Sequence, residues 1–181
     1  MTDNQMMIHL IAEIERQLTL VGVTAFEVSR NQQPTNQYTG GSKDDPIKTR
    51  VFLFAVTKGS GGHGRNYTTG AEFKRTDFQQ KFKDVQISVV HEFDETDINA
   101  RTPEDMSDLI HDLLDSPDAI QSLRDNKIFV QEVGNVRPVF FTNDQDRFES
   151  LPNFDLTVNY CSYITKVADF VDVADSGVFG V

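Results

Sequence analysis

Apolar residues recur at helical spacing over residues 4–20. Met7, Ile11, Ile14 and Leu18 stand four, three and four apart and share one face. Thr2 and Gln5 have the spacing of a capping box, and Gly22 follows the last periodic residue as a stop signal. Ala25 to Ser29 reads as a short strand. Residues 30–47 are rich in Asn, Gln, Gly, Pro and Asp and carry nothing to bury, which predicts a long loop. At 49–58 the pattern turns to strand. Val51, Leu53 and Ala55 line one face, and Phe52, Phe54 and Val56 the other, as in an interior strand or one covered by a partner. Gly59–Arg65, with its run GSGGHGR, is too glycine-rich for regular structure. Residues 59–80 therefore read as a mobile extension with a hairpin tip.

Alternation resumes at 82–93, with Val85, Ile87 and Val89 set against Gln86 and Ser88. A polar turn, Asp94 to Arg101, leads to Thr102-Pro103, an N-cap with Pro at the first helical position. Met106, Leu109, Ile110, Leu113 and Leu114 form the apolar face of that helix, which Ser116-Pro117 ends. A short helix over 118–124 and a strand over 127–133 follow. Residues 134–153 read mostly as loop, Phe154 to Thr165 as a long alternating strand, and 166–181 as an apolar C-terminal arm broken by Asp and Gly. The order predicts an α+β fold: a mainly antiparallel sheet, with the N-terminal helix and the central acidic helix packed on one side. The chain reads as one domain, 1–181, with extended loops at 30–47 and 59–80.

Charge changes this picture. The 181 residues carry a net charge of -11, which excludes the usual basic nucleic-acid-binding protein. The charge is also uneven. Residues 26–83 hold ten Lys/Arg against five acids, whereas 84–125 hold twelve acids against two bases. A surface polarised in this way suits head-to-tail self-assembly. No apolar run approaches the roughly 20 residues of a membrane span, and no signal-peptide core follows Met1. The expectation is an acidic protein of a reducing compartment, because the one cysteine, Cys161, excludes an intrachain disulfide framework and a multi-cysteine zinc site. Cys161 itself reads as a small core residue.

Candidate chemistry is sparse, and no cofactor is expected. The glycine stretch lacks the Gly-Lys-Ser/Thr end and following helix of a phosphate loop. His9, His63, His91 and His111 include no pair at metal-ligand spacing. Asp94, Glu95, Asp97 and the run Asp144-Gln145-Asp146 lack the glycine and distal Glu of a calcium loop, and read as solvated turns. A small metal-dependent hydrolase would need Asp94, Asp97, Asp144 or Asp146 to converge. The central helix is more informative. Glu104, Asp108, Asp112 and Asp115 repeat at four, four and three opposite its apolar face, with Asp105 beside them. Like charges at that spacing repel, and Asp115 opposes the helix dipole. Such a face meets a basic partner or repels a polyanion; its plain alternative is solvation.

Arg137-Pro138-Val139-Phe140-Phe141-Thr142-Asn143-Asp144, then Arg147-Phe148-Glu149, then Phe154-Asp155-Leu156 and Tyr160 resemble the neck or tail-terminator proteins of tailed bacteriophages. The order of the preceding elements is similar too. The resemblance implies a virion protein without catalytic residues, assembled in the host cytoplasm into a ring, usually of six copies, at the neck. That ring ends the tail tube and joins it to the head-side connector and neck proteins, with the sheath as a further candidate partner. DNA passes through its lumen unread, with no membrane involved. The two long loops would dock on the layers above and below. Interface residues expected on this reading are Lys58, His63, Arg65, Arg147, Phe148, Phe170 and Phe179. Glu104, Asp105, Asp108, Asp112 and Asp115 would face the lumen or a basic partner. Another head–tail or baseplate adaptor is the nearest competing reading.

Overall fold

The computed structural model describes residues 1–30, 48–68, 74–92, 96–142 and 148–167. Helix α1, Asp3–Leu20, starts with the expected reciprocal cap: Gln5 N–H donates to Thr2 Oγ1, and Thr2 N–H donates to Gln5 Oε1. Its end passes through Gly22, which takes a left-handed φ of 76°. Strand β1, Phe26–Arg30, is followed by two long strands, β2, Thr49–Thr68, and β3, Lys74–His91. Helix α2, Pro103–Asp115, is capped by Thr102, and α3, Pro117–Asp125, by Ser116. Strand β4, Ile128–Val133, comes next. A short pair, β5, Phe140–Thr142, and β6, Phe148–Ser150, then leads to β7, Asn153–Val167.

The main sheet has the order β1-β2-β3-β7-β4, antiparallel throughout except for the parallel β1–β2 pair. One face carries the core. Val51 and Leu53 of β2, Val85, Ile87 and Val89 of β3, and Phe154, Leu156, Val158 and Tyr160 of β7 are buried there. Three helices cover that face. Met6, Met7, Leu10, Ile14 and Leu18 of α1, Met106, Ile110 and Leu114 of α2, and Leu123 of α3 complete the cluster. Each large apolar side chain buried in this way contributes on the order of 1.5–3 kcal/mol. The other face is uncovered among the described residues, so Phe52 and Phe54 are only half-buried. β2 lies between β1 and β3, so it is the interior strand that one reading of its two-sided apolar pattern expects.

Where it is described, the region read as a mobile extension is regular. β2 runs through the whole glycine stretch, and β3 starts at Lys74, so 59–68 and 74–80 form a paired hairpin. The glycines fit because the strand beside them supplies the bulk. Gly62, at the register shift between Gly61 and His63, has a left-handed φ of 55°, as a bulge residue does. β7 then follows β3 out to the pair Lys74↔Val167 and adds a third strand. The result is a three-stranded arm made of residues 59–68, 74–81 and 161–167. Cys161 is half-buried where this arm leaves the body, not in the core. Residues 134–153, read mostly as loop, hold the β5–β6 pair and a bridge from Arg137 to Asn153.

Candidate interaction surfaces

The arm and the acidic helix lie at opposite ends of β7. Phe154, second residue of β7, meets the ring of His111 on α2 at 5.6 Å, and Glu104 at the start of α2 accepts a hydrogen bond from Ser150. From Phe154 to Val167 the strand extends about 40 Å at ~3.3 Å per residue. α1 starts at the base of the arm. There Asp3 accepts from Lys83 Nζ at 2.8 Å and from the Tyr160 hydroxyl, with Lys81 Nζ at 3.7 Å. The Met1 ammonium donates to the Cys161 carbonyl at 3.1 Å. Lys83 first, then Tyr160, holds the Asp3 carboxyl well below the usual range, while burial pushes the Tyr160 hydroxyl up.

Strand parity gives the arm two unlike faces. On the face continuous with the helical side, Arg65 and Arg75 both grip Asp77, with nitrogen–oxygen distances of 3.0 and 2.7 Å. Arg75 first, then Arg65, holds the Asp77 carboxyl at about 2. His63 pairs with Gln79 at 3.3 Å beside them, and His63, Gly64, Arg65 and Asp77 line an open concavity. Register places Ile164 opposite Asp77 and Lys166 opposite Arg75. The reverse face is aromatic and hydroxylic: Phe78 meets Tyr163 with ring centroids 6.3 Å apart, and Thr76 meets Thr165 at 3.0 Å. Tyr67, Tyr163, Ile164 and Val167 are all more than half exposed, beyond the helices. Five cations (Arg65, Lys74, Arg75, Lys81 and Lys166) stand on this arm against one acid, Asp77.

The opposite end is anionic. Asp105 closes the α2 cap on Thr102, whose backbone N–H first and hydroxyl second lower its carboxyl. Asp108, Asp112 and Asp115 point to solvent, and among the described residues neither Asp108 nor Asp115 has an ion-pair partner. Beside them, Glu13 of α1 is buried, with 4% of its side chain exposed. It accepts from Arg16, Gln17 and Ser122, while Asp118 of α3 also accepts from Arg16 and Gln17. Burial raises the Glu13 carboxyl, but those donors together outweigh it and leave it lowered. This network fixes α3 to α1 and thereby the outer edge of the helical layer.

Of the residues expected at interfaces, His63 and Arg65 lie together on the arm, and the five acids share α2. Lys58 and Phe148 are placed by strand register alone, opposite Lys83 and Thr142. Arg147, Phe170 and Phe179 lie outside the described residues, as do the 30–47 loop beyond Arg30 and most of the C-terminal arm. Sequence reading missed Arg75, Asp77, Tyr163 and Lys166. For Arg75 and Asp77 the alternation at 75, 77, 79, 81 and 83 continues the β3 period, whereas Tyr163 and Lys166 on β7 are placed beside them only by its register. Among the described residues no group of three or more His, Cys, Asp or Glu is placed to hold a metal; Asp94, Asp144 and Asp146 lie outside them. No described helix is long and apolar enough to cross a membrane.

Comparison with protein families matches residues 5–170 to the family described as E217 gateway protein gp29. No curated protein matches the chain.

Proposed function

Because the chain belongs to the E217 gateway protein gp29 family, a structural family of the phage head–tail neck, we propose that it is a ring subunit of the neck. In this reading six copies close around the DNA path, one side of the ring ending the tail tube and the other meeting the head-side connector. The observation that carries the reading is the family match over almost the whole described fold, α1 through β7. The polarity of the subunit supports it. A basic arm at one end and an acidic helical layer at the other make a heterologous, head-to-tail contact electrostatically favourable, and such contacts close into rings. An anionic lining also suits a channel that DNA traverses without being held, since phosphate affinity needs cations.

Native mass measurement and negative-stain imaging of the purified chain test this. The expected species is six times 20.5 kDa, about 123 kDa, with a central opening that admits duplex DNA. Mixing it with tail-tube protein then caps the tubes and stops their growth. Tubes that elongate unchanged in the presence of a formed ring would remove the terminator role. A monomer that neither closes alone nor binds tubes would remove the ring reading.

A further inference from the structure

We propose that the basic face of the three-stranded arm docks onto the acidic helical layer of a second copy of this chain. The inference rests on the ring reading above and names the contact that would close it. The first observation is the arm itself. Past Tyr160 no described helix covers either face, yet Tyr67, Tyr163, Ile164 and Val167 lie exposed there. Among the described residues the outer edge of β7 has no strand partner past Tyr160, where its pairing with β4 ends and the Cys161 carbonyl takes the Met1 ammonium. A sheet extension with free edges and bare apolar side chains is a surface built to be covered.

The second observation is charge. The strands of the arm carry five cations and one acid and the 69–73 connection adds Glu72, so in a chain of net charge -11 removing the arm's +3 leaves -14. Among the surfaces present, the body of another copy is the natural complement. Lys166 near the tip of the arm cannot reach its own α2, since it stands about 40 Å along β7 from Phe154, where the strand meets α2. The contact is therefore between copies. Duplex DNA fits the arm less well: Arg65 and Arg75 are already committed to Asp77, and Lys81 faces Asp3. A phosphate lattice rewards uncommitted cations, whereas a protein surface also rewards Tyr67 and Ile164, which register places on the same face as Arg75 and Lys166.

The acidic side fits the same contact from its own direction. Asp108 and Asp112 repel at i, i+4, and Asp115 faces the negative end of its own helix dipole. Neither Asp108 nor Asp115 is neutralised among the described residues. A basic arm laid across them relieves both terms.

The test uses the intact wild-type chain, mixed from isotopically heavy and light preparations. A carbodiimide joins carboxylates to lysines in direct contact, and mass spectrometry reads the linked peptides. Expected are heavy–light links from Lys166 to Asp108, Asp112 or Asp115. A closed ring whose heavy–light links avoid the arm overturns this contact and leaves the ring reading standing. Absence of any heavy–light link, with a monomeric mass, overturns both for the free protein. Retention of duplex DNA that is lost in Lys166→Glu would reassign the arm to DNA and overturn the proposal. As a second reading, Lys166→Glu/Arg75→Glu and Asp108→Lys/Asp112→Lys should each assemble at least tenfold less well alone and recover when mixed. Failure of the mixture to recover counts against the contact.

Discussion

The ring of Phe78 lies across the backbone of Gly64 on the neighbouring strand, so close that a Cβ at Gly64 would stand 1.8 Å from Phe78 Cζ. The two are register partners in the arm. The glycine gives the ring a flat seat, and the ring replaces the side chain the glycine lacks, as aromatic residues do beside strand glycines. Gly64→Ala must push the ring off that seat, at a local cost of about 1–3 kcal/mol. Amide hydrogen exchange checks this: protection should fall across 63–66 and 76–79 while Ile87 and Leu156 keep theirs. Phe78→Ala should give the same pattern, and the double variant should cost less than the sum, because one contact is lost twice. Additive losses would mean that the ring and the glycine do not depend on each other.

Asp3 supports the base of that arm through Lys83 and Tyr160, and this makes part of the stability depend on pH. Its carboxyl is held below its ordinary value in the folded chain, chiefly by Lys83. A depressed carboxyl contributes fully above its unfolded value, near 4, and loses that contribution as pH falls through the folded value. Asp3→Asn should therefore cost about 1–3 kcal/mol at pH 7. The gap to wild type should stay constant down to about pH 5 and narrow below about pH 4. Urea midpoints at pH 7, 5 and 3 give the measurement. A gap that widens on acidification would reverse the sign and sink the assignment.

Glu13 works by a different balance, since burial acts against its charge and only its donors keep it ionised. Glu13→Gln keeps an oxygen for Ser122 Oγ but loses the ion pair to Arg16. Glu13→Ala leaves Gln17, buried beside it, and Ser122 without that acceptor. Losses of about 1 and about 2–3 kcal/mol are expected, in that order, since a buried group stripped of its partner bears its desolvation. Denaturant midpoints with unchanged slopes check both. Equal losses would mean that the Ser122 bond contributes nothing.

Where local signals decide, the sequence was legible. Thr2 with Gln5, and Thr102 with Pro103, marked both long helices because caps are read within four residues. Val85, Ile87 and Val89 marked β3 by parity, and the α+β layout followed from element order. The arm was not legible for a non-local reason. GSGGHGR has no strand propensity of its own and becomes strand only when Phe78 and Phe82, more than a dozen residues on, lie across Gly64 and Gly61. Glu13 and Gln17 broke the apolar stripe of α1 in positions made tolerable by Arg16 on the same helix and by Ser122 and Asp118, about a hundred residues away. The charge imbalance between 26–83 and 84–125 was plain in the sequence. That it becomes two opposite ends followed only from pairing β7 with β3 along its full length. His63 and Arg65 were found by composition, whereas Arg75 and Lys166 needed the register.

The acidic face of α2 should trade stability against assembly. Asp108 stands four residues after Glu104 and four before Asp112, exposed, with no ion-pair partner among the described residues. Asp108→Lys turns two repulsive i, i+4 spacings into attractive ones. The Glu104-to-Lys pair would also have the favoured orientation, acid N-terminal to base. At about 0.2–0.5 kcal/mol for each repulsion removed and each attraction gained, the isolated subunit should gain about 1 kcal/mol. The gain should appear as a rise of a few degrees in Tm, shrinking in high salt. If the acids are only a solvated face, assembly should be indifferent to the change. If they receive the arm of the next copy, the more stable variant should be the poorer ring former, because the charge that costs the subunit stability is the one its neighbour neutralises. A thermal scan and a native mass on the same sample decide between these outcomes. A variant that is both more stable and fully assembled would leave α2 outside the contact.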